Sequence, residues 1–401
     1  MSTPGHSVTA AVLADLVGEA RLTDPSALGD LVAAQAARVG IVDPGLWLVD
    51  VQQRVLVPYG AIGPPGEEAM SVDGTLAGRA YRDGTACHAE TDDGVTLWVP
   101  LLDGSDRLGV LGGRATQWTS ALADDLSLLA AATATLIAAH RSSSDVVVRT
   151  RRLQAASLPV EVQAGLLPPL SFSTGRATVC GVLEPAYDIG GDSFDYALND
   201  GVAHLAVFDA MGHGLSATLM VTVAVGAYRH ARRSDRSLEA TYDAIDTALS
   251  NQFGPDRFVT GMLAQLDLDS GRLSYVLAGH HPGLVLRRGR VVRHLDAVSC
   301  LPFGLGAELG PIPVGHSKCG SAQEALEPGD RVLIYTDGVI EARDSTGAFF
   351  GLERLEELLV REDASGTPAS ETMRRLIHAV LEHQTDDLQD DATLLLVEWH
   401  P

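Results

Sequence analysis

The chain has 401 residues, 46% of them hydrophobic, with 52 acidic residues against 29 basic ones and a formal charge of −23. That hydrophobic share is ample for packed cores and excludes a disordered chain, the length suits two or three domains, and the charge repels nucleic acid and anionic membrane. Cys87, Cys180, Cys300 and Cys319 lie far apart with no CxxC pair, so neither a zinc cluster nor a disulfide framework is expected, and reduced, cytoplasmic thiols are the default. The N-terminus, Met-Ser-Thr-Pro-Gly-His, lacks the basic-then-apolar layout of a signal peptide. The longest apolar runs, such as 128–139 and 217–228, fall short of the ~18–20 residues that cross a bilayer.

Residues 8–39 carry apolar positions at helical intervals, Leu13, Leu16 and Val17 in one segment and Leu28, Leu31, Val32, Ala36 and Val39 in the next, with Asp24-Pro25 as cap and first turn. From Leu46 the period changes: 46–50 and 55–57, joined by Gln52-Gln53-Arg54, read as a hairpin. After a loop over 60–68 come a glycine-containing helix over 74–80, strands over 95–101 and 108–112, and an apolar helix from about Ala121 to His140. The stretch Asp73 to Gly113 resembles a GAF domain, in which a central antiparallel sheet can enclose a small ligand. The resemblance implies a sensor over 1–140 taking a small-molecule or protein signal, or a dimerisation or spacer module of the same shape without a ligand. Core packing is expected for Trp98 and a surface turn for Cys87 and His88; no ligand residues are assigned.

Residues 141–169 read as a helical linker. Val146, Leu153, Val160 and Leu167 recur at sevens, which suggests a stalk that pairs with its twin in a homodimer. Thr150, Ser157 and Ala164 between them are small or polar, and Pro159 interrupts a continuous helix, which argues the other way.

The most informative stretch runs from Asp188 to Gly214. Asp188-Ile-Gly-Gly-Asp192-Ser-Phe-Asp195 and a turn precede the apolar strand 202–208, which delivers Asp209-Ala-Met-Gly-His-Gly214. Helices are expected from Leu215 to about Ala231 and from Ser237 to Gln252, strands over 258–266 and 272–278 as a hairpin, and a second hairpin over 284–295. The apolar run 332–335 discharges into Thr336-Asp337-Gly338, and Asp390-Asp391 stands before the strand 392–399. One Asp-Gly pair is an ordinary turn. Several carboxylates at the ends of core strands, beside glycines that admit close approach, suit a hard divalent cation such as Mg²⁺ or Mn²⁺.

GGDSFD, DAMGHG, AGHHPGLVLR, PFGLG, YTDGVIEARDSTGAFFGLERL and DDATLLLV resemble, in order and spacing, the motif series of the metal-dependent serine/threonine protein phosphatases (PPM family). The likeness is to their bacterial branch typified by the stage II sporulation phosphatase, over 170–401. It implies an α+β chain: the GAF-like domain, the linker, and a C-terminal β-sandwich flanked by helices (αββα). It implies two Mn²⁺ or Mg²⁺ ions bridged by Asp209, with the Ala210 carbonyl, Asp337 and Asp390 completing the first and Asp192 holding the second. Asp391 is the alternative to Asp390. Asp188 and Asp195 read as solvated or supporting, His213 as structural, and His280 and His281 as loop residues. Arg176, Arg257 and Arg343 are the candidates for gripping phosphate, and none is assigned. The implied substrate is a phosphoprotein, by analogy an anti-sigma-factor antagonist; a pseudo-phosphatase or a ligand-sensing dimeric scaffold is the alternative.

Overall fold

The computed structural model describes residues 4–62, 66, 68–184, 190–297, 300–306, 319–384 and 390–400; Asp188 lies outside the described residues, as does part of the loop over 60–68. The chain divides into two units, Met1–Ala155 and Ala156–Pro401.

The first unit opens with helices α1 (Pro4–Ala20) and α2 (Leu28–Arg38). Asp24 caps the intervening turn, its carboxylate accepting from Ser26 N at 2.9 Å, with Pro25 in the first position as expected. Strands β1 (Val42–Val49), β2 (Val55–Pro58) and β3 (Met70–Ser71) are followed by α3 (Leu76–Asp83), then β4 (Cys87–Thr91), β5 (Gly94–Asp103) and β6 (Asp106–Ala115). All six strands form one antiparallel sheet in the order β3-β2-β1-β6-β5-β4. Alternation divides its faces: Leu97, Val99 and Leu101 pack with Leu28, Val32, Leu126 and Ile137 on one side, while Trp98 packs with Val49, Ala77 and Tyr81 on the other. Cys87 and His88 thus belong to a strand rather than a surface turn, because they pair with Trp98 and Leu97. Helix α4 (Ser120–His140) packs on β5 and β6. Contrary to the expectation from apolar runs, it is long and apolar enough to cross a membrane by length and composition, with Asp124 and Asp125 its only Asp, Glu, Lys or Arg residues.

The expected linker does not form a stalk. Helix α5 (Val146–Arg151) packs on β1 and β2 within the first unit, where Arg151 Nε donates to Val49 O at 2.9 Å and Thr150 Oγ1 accepts from Gly60 N at 3.0 Å. Helix α6 (Leu158–Leu166), with Pro159 in its first turn, belongs to the second unit and packs on α7 (Leu215–Arg232) and β9 (Asp192–Asn199). Non-helical backbone separates the two, so the seven-residue stripe never lies on one helix. Two short helices bury Val147 and Val160 locally instead.

The rest of the second unit comprises β7 (Ser171–Ser173), β8 (Ala177–Glu184), β10 (Val202–Ala210), α8 (Leu238–Phe253), β11 (Val259–Asp267), β12 (Arg272–Ala278), β13 (Leu284–Arg287) and β14 (Arg290–His294). Then come β15 (Ala322–Ala325), β16 (Arg331–Tyr335), α9 (Asp337–Ile340), α10 (Leu352–Ala364), α11 (Ala369–His383) and β17 (Ala392–Trp399). A five-stranded sheet, β15-β12-β11-β10-β9, faces a six-stranded one, β14-β13-β16-β17-β8-β7. Phe194, Leu205, Val207 and Met262 meet Val332, Ile334, Leu395 and Val397 between them. Helices α7 and α8 cover the outer face of the first sheet, and α10 and α11 that of the second. This is the expected αββα sandwich.

Cys300 and Cys319 are joined in a disulfide, against the expectation of unpaired thiols. Their separation of 19 residues conceals that both are tethered to β12. Cys300 exchanges backbone bonds with Leu277 and Gly279, and Cys319 stands just before β15, which pairs with β12. Cys87 and Cys180 are buried and lie outside this disulfide.

Candidate active site

The site grows out of the rows that build the inter-sheet core. On β10, Ala203, Leu205 and Val207 point between the sheets, so Asp209 does too. On β9 the row is Asp192, Phe194, Tyr196; on β11, Thr260, Met262, Ala264. From the second sheet, Val332 and Ile334 lead to Thr336, while Asp391 and Thr393 lead into Leu395 and Val397. Each apolar row therefore ends in a polar side chain. Antiparallel register carries these ends to the same edge of the sandwich: Asp209 stands directly opposite both Asp192 and Thr260, and β16 pairs with β17.

Asp192 is buried, and its Oδ2 accepts from Thr336 Oγ1 and Thr393 Oγ1, each at 2.7 Å. Its own backbone N–H donates to Asp391 Oδ2 at 3.0 Å. Gln163 on α6 donates to the Asp192 carbonyl at 2.7 Å and to Asp391 Oδ2 at 3.3 Å. Asp209 accepts from Thr260 Oγ1 at 3.4 Å, and the same hydroxyl is 3.0 Å from His280 Nδ1. Asp337 opens α9, and Gly338 is required there because a Cβ would lie 1.9 Å from the Asp391 carbonyl. Gly190, at φ +140°, similarly admits Pro159 and Thr218.

Electrostatics bind these acids into one group. Burial, then the charges of Asp209 and Asp391, raises the Asp192 pKa well above the carboxylate range. Burial, then Asp337 and Asp390, pushes Asp209 up to about 8. Asp391 is pushed up to about 6 and Asp390 is also raised, burial leading in both. As the side chains stand, no three His, Cys, Asp or Glu among the described residues are drawn together tightly enough to ligate one ion. The donor set nevertheless fits a hard divalent cation. It is all oxygen, its like charges repel in a desolvated place, and Asp391 Oδ1 is buried with no hydrogen-bond partner among the described residues.

Asp192, Asp209, Ala210, Asp337 and Asp390 are thus gathered at one edge, with Asp391 more deeply buried than Asp390 and bonded to Asp192. Other candidates are placed elsewhere or differently. Asp195 is buried rather than solvated, because Arg229 and Arg232 pair with it at 2.9 and 3.1 Å on the α7 side of β9. His213 is exposed, on the turn after β10. His280 lies in a loop as expected but is buried, and burial, then His281, pushes it down to about 3, so it is neutral near pH 7. Arg176 pairs with Asp269 at 2.6 Å, and Arg343 lies over the Phe349 ring. Arg257 is exposed and precedes Phe258, whose carbonyl accepts from Met211 N at the β10–α7 turn. Gln163, Thr260, Thr336 and Thr393 are the site residues to which sequence reasoning gave no role. For the threonines the signal was present, since each continues an alternating apolar row.

The sequence family described as stage II sporulation protein E (SpoIIE) matches residues 199–400. The chain belongs to the SpoIIE family. The SpoIIE match contains Asp209, Asp337, Asp390 and Asp391, and Asp192 lies just before it. Protein IcfG of Synechocystis sp. is 24% identical over 59% of this chain and 40% of its own length. Phosphoserine phosphatase RsbU of Bacillus subtilis is 22% identical over 53% of this chain and 60% of its own. The chain thus spans about half the length of these curated relatives. The SiaA-PP2C domain of Pseudomonas aeruginosa superposes with a TM-score of 0.50 at 21% identity, covering 60% of this chain and 94% of that domain. This SpoIIE-family chain therefore shares the PP2C fold.

Proposed function

We propose that the second unit is a metal-dependent serine/threonine phosphoprotein phosphatase, acting on a phosphorylated anti-sigma-factor antagonist to control a sigma factor. One observation carries the reading: in a SpoIIE-family chain, Asp192, Asp209, Asp337, Asp390 and Asp391 act electrostatically on one another at one edge of the sandwich. The residues that would hold two Mn²⁺ or Mg²⁺ ions are Asp209, the Ala210 carbonyl, Asp337 and Asp390 for one, with Asp209 and Asp192 for the other. Such a pair, when bound, supplies an acidified water and neutralises the charge of phosphoryl transfer. The protein's own part is to hold the carboxylates on strand ends: Thr260 restrains Asp209, and Asp391 with Gln163 restrains the Asp192 backbone.

The first unit, in this reading, is a GAF-like sensor for a small-molecule or protein signal, and the enzyme works in the cytoplasm. Neither nucleic acid nor membrane is a partner, in keeping with the charge of −23.

The test is a Mn²⁺ titration of the full chain with a phosphoserine peptide. Phosphate release that saturates with Mn²⁺ and vanishes in Asp209→Asn is the expected result. A folded protein that releases none at any metal concentration contradicts the reading and favours a pseudo-phosphatase.

A further inference from the structure

Thr336 and Thr393 are fully buried; Thr336 immediately follows β16 and Thr393 is the second residue of β17, both strands of the six-stranded sheet. They are first joined to each other: Thr336 N donates to Thr393 O at 3.1 Å, and Thr393 N donates to Thr336 Oγ1 at 3.0 Å. Their hydroxyls then cross the gap between the sheets and converge on a single oxygen, Asp192 Oδ2, at 2.7 Å each. Thr336 immediately precedes Asp337, and Thr393 stands two residues after Asp391. The clasp therefore links Asp192 of β9 to the backbone that carries the acids of the second sheet.

A carboxylate with no fixed partner can turn about its terminal torsion, which has broad wells, and present either oxygen. Two O–H donors on one oxygen oppose that rotation, since hydrogen bonds to a charged acceptor are stronger than neutral ones. We propose that Thr336 and Thr393 are positioning residues for the metal centre, holding the Asp192 carboxylate in one orientation as a cation donor and yoking it to Asp337 and Asp391 across the sandwich. The inference rests on the phosphatase reading. A merely structural pair of buried hydroxyls would affect folding stability and leave metal affinity alone.

The experiment is Mn²⁺ binding to the full chain by calorimetric titration, beside melting in EDTA, for wild type, Thr393→Val, Thr393→Ser and Thr336→Val. Valine keeps the β-branched shape suited to a strand and removes only the hydroxyl. Thr393→Val should raise the half-saturating Mn²⁺ concentration by about tenfold to a hundredfold, the scale of a lost hydrogen bond to a charged group. Thr393→Ser should restore it, and the EDTA melting temperatures should not track the loss. Should Thr336→Val fail to fold, Thr393→Val decides alone, because it leaves Thr336 on Asp192. Valine variants that titrate at the wild-type midpoint overturn the clasp and leave the phosphatase reading standing. A wild type that binds no Mn²⁺ overturns both.

Discussion

Asp50, just after β1, and Asp192, at the start of β9, are both buried aspartates at strand ends, and they are held in different ways. Asp50 accepts from the backbone N–H groups of Gln52, Arg54 and Val55 at 3.1, 2.7 and 2.8 Å, so its donors come from its own turn. Burial raises its pKa, and those three bonds and the Arg151 charge oppose the rise. Asp192 takes its side-chain donors from another sheet and has Asp209 and Asp391 as charged neighbours. The difference separates two uses of the same residue type. A carboxylate satisfied by its own turn shapes that turn, whereas one set among carboxylates stores repulsion that a cation relieves.

The largest expected effect is on Asp209. Asp209→Asn should weaken Mn²⁺ binding and phosphate release by more than about 100-fold, beyond the 10–100-fold typical when an outer partner of a ligand is lost. Asp50→Asn, measured in the same titration, should leave the Mn²⁺ midpoint unchanged; equal losses in both would erase the distinction. Next comes the pH dependence of the metal-free protein. Asp391 and Asp209, raised to about 6 and about 8, contribute stability that is fully present below the ordinary carboxylate range and is lost as pH rises through those values. Melting in EDTA should therefore fall between pH 5 and pH 8.5 by on the order of 5–10 °C. Asp209→Asn, which cannot ionise, should flatten the part between pH 6 and 8, and Mn²⁺ should reverse the slope. A wild-type slope that survives Asp209→Asn would show that the repulsion lies elsewhere. The smallest effect is on the turn. Asp50→Ala should lower the stability of the first unit by about 1–3 kcal/mol by orphaning backbone donors. Urea unfolding followed by tryptophan fluorescence checks this, and an unchanged midpoint would deny Asp50 its role.

Much of this arrangement was legible in the sequence where the signal is local. The run 332–335 is uninterrupted and apolar and 394–397 is likewise so within its strand, and Asp337-Gly338 reads as an acid beside a close approach because only glycine fits against the Asp391 backbone. What was lost depended on partners distant in the chain. No strand is read over Asp192-Ser-Phe-Asp195 from the sequence, yet it begins β9, since Arg229 and Arg232, more than thirty residues on, neutralise Asp195 on one face while Thr336 and Thr393 satisfy Asp192 on the other. The false stalk has the same origin. Val146 and Val160 share a heptad spacing, but they begin or lie within separate helices that pack on separate units. The disulfide was hidden because spacing along the chain carries no information about two cysteines tethered to one strand.

The most direct test of the account is anomalous diffraction from crystals soaked in Mn²⁺. The prediction is two manganese peaks at the edge where β9, β10 and β17 meet, bounded by Asp192, Asp209, Asp337 and Asp390. An empty edge at saturating Mn²⁺, with those carboxylates turned apart or paired with cationic side chains, would contradict it.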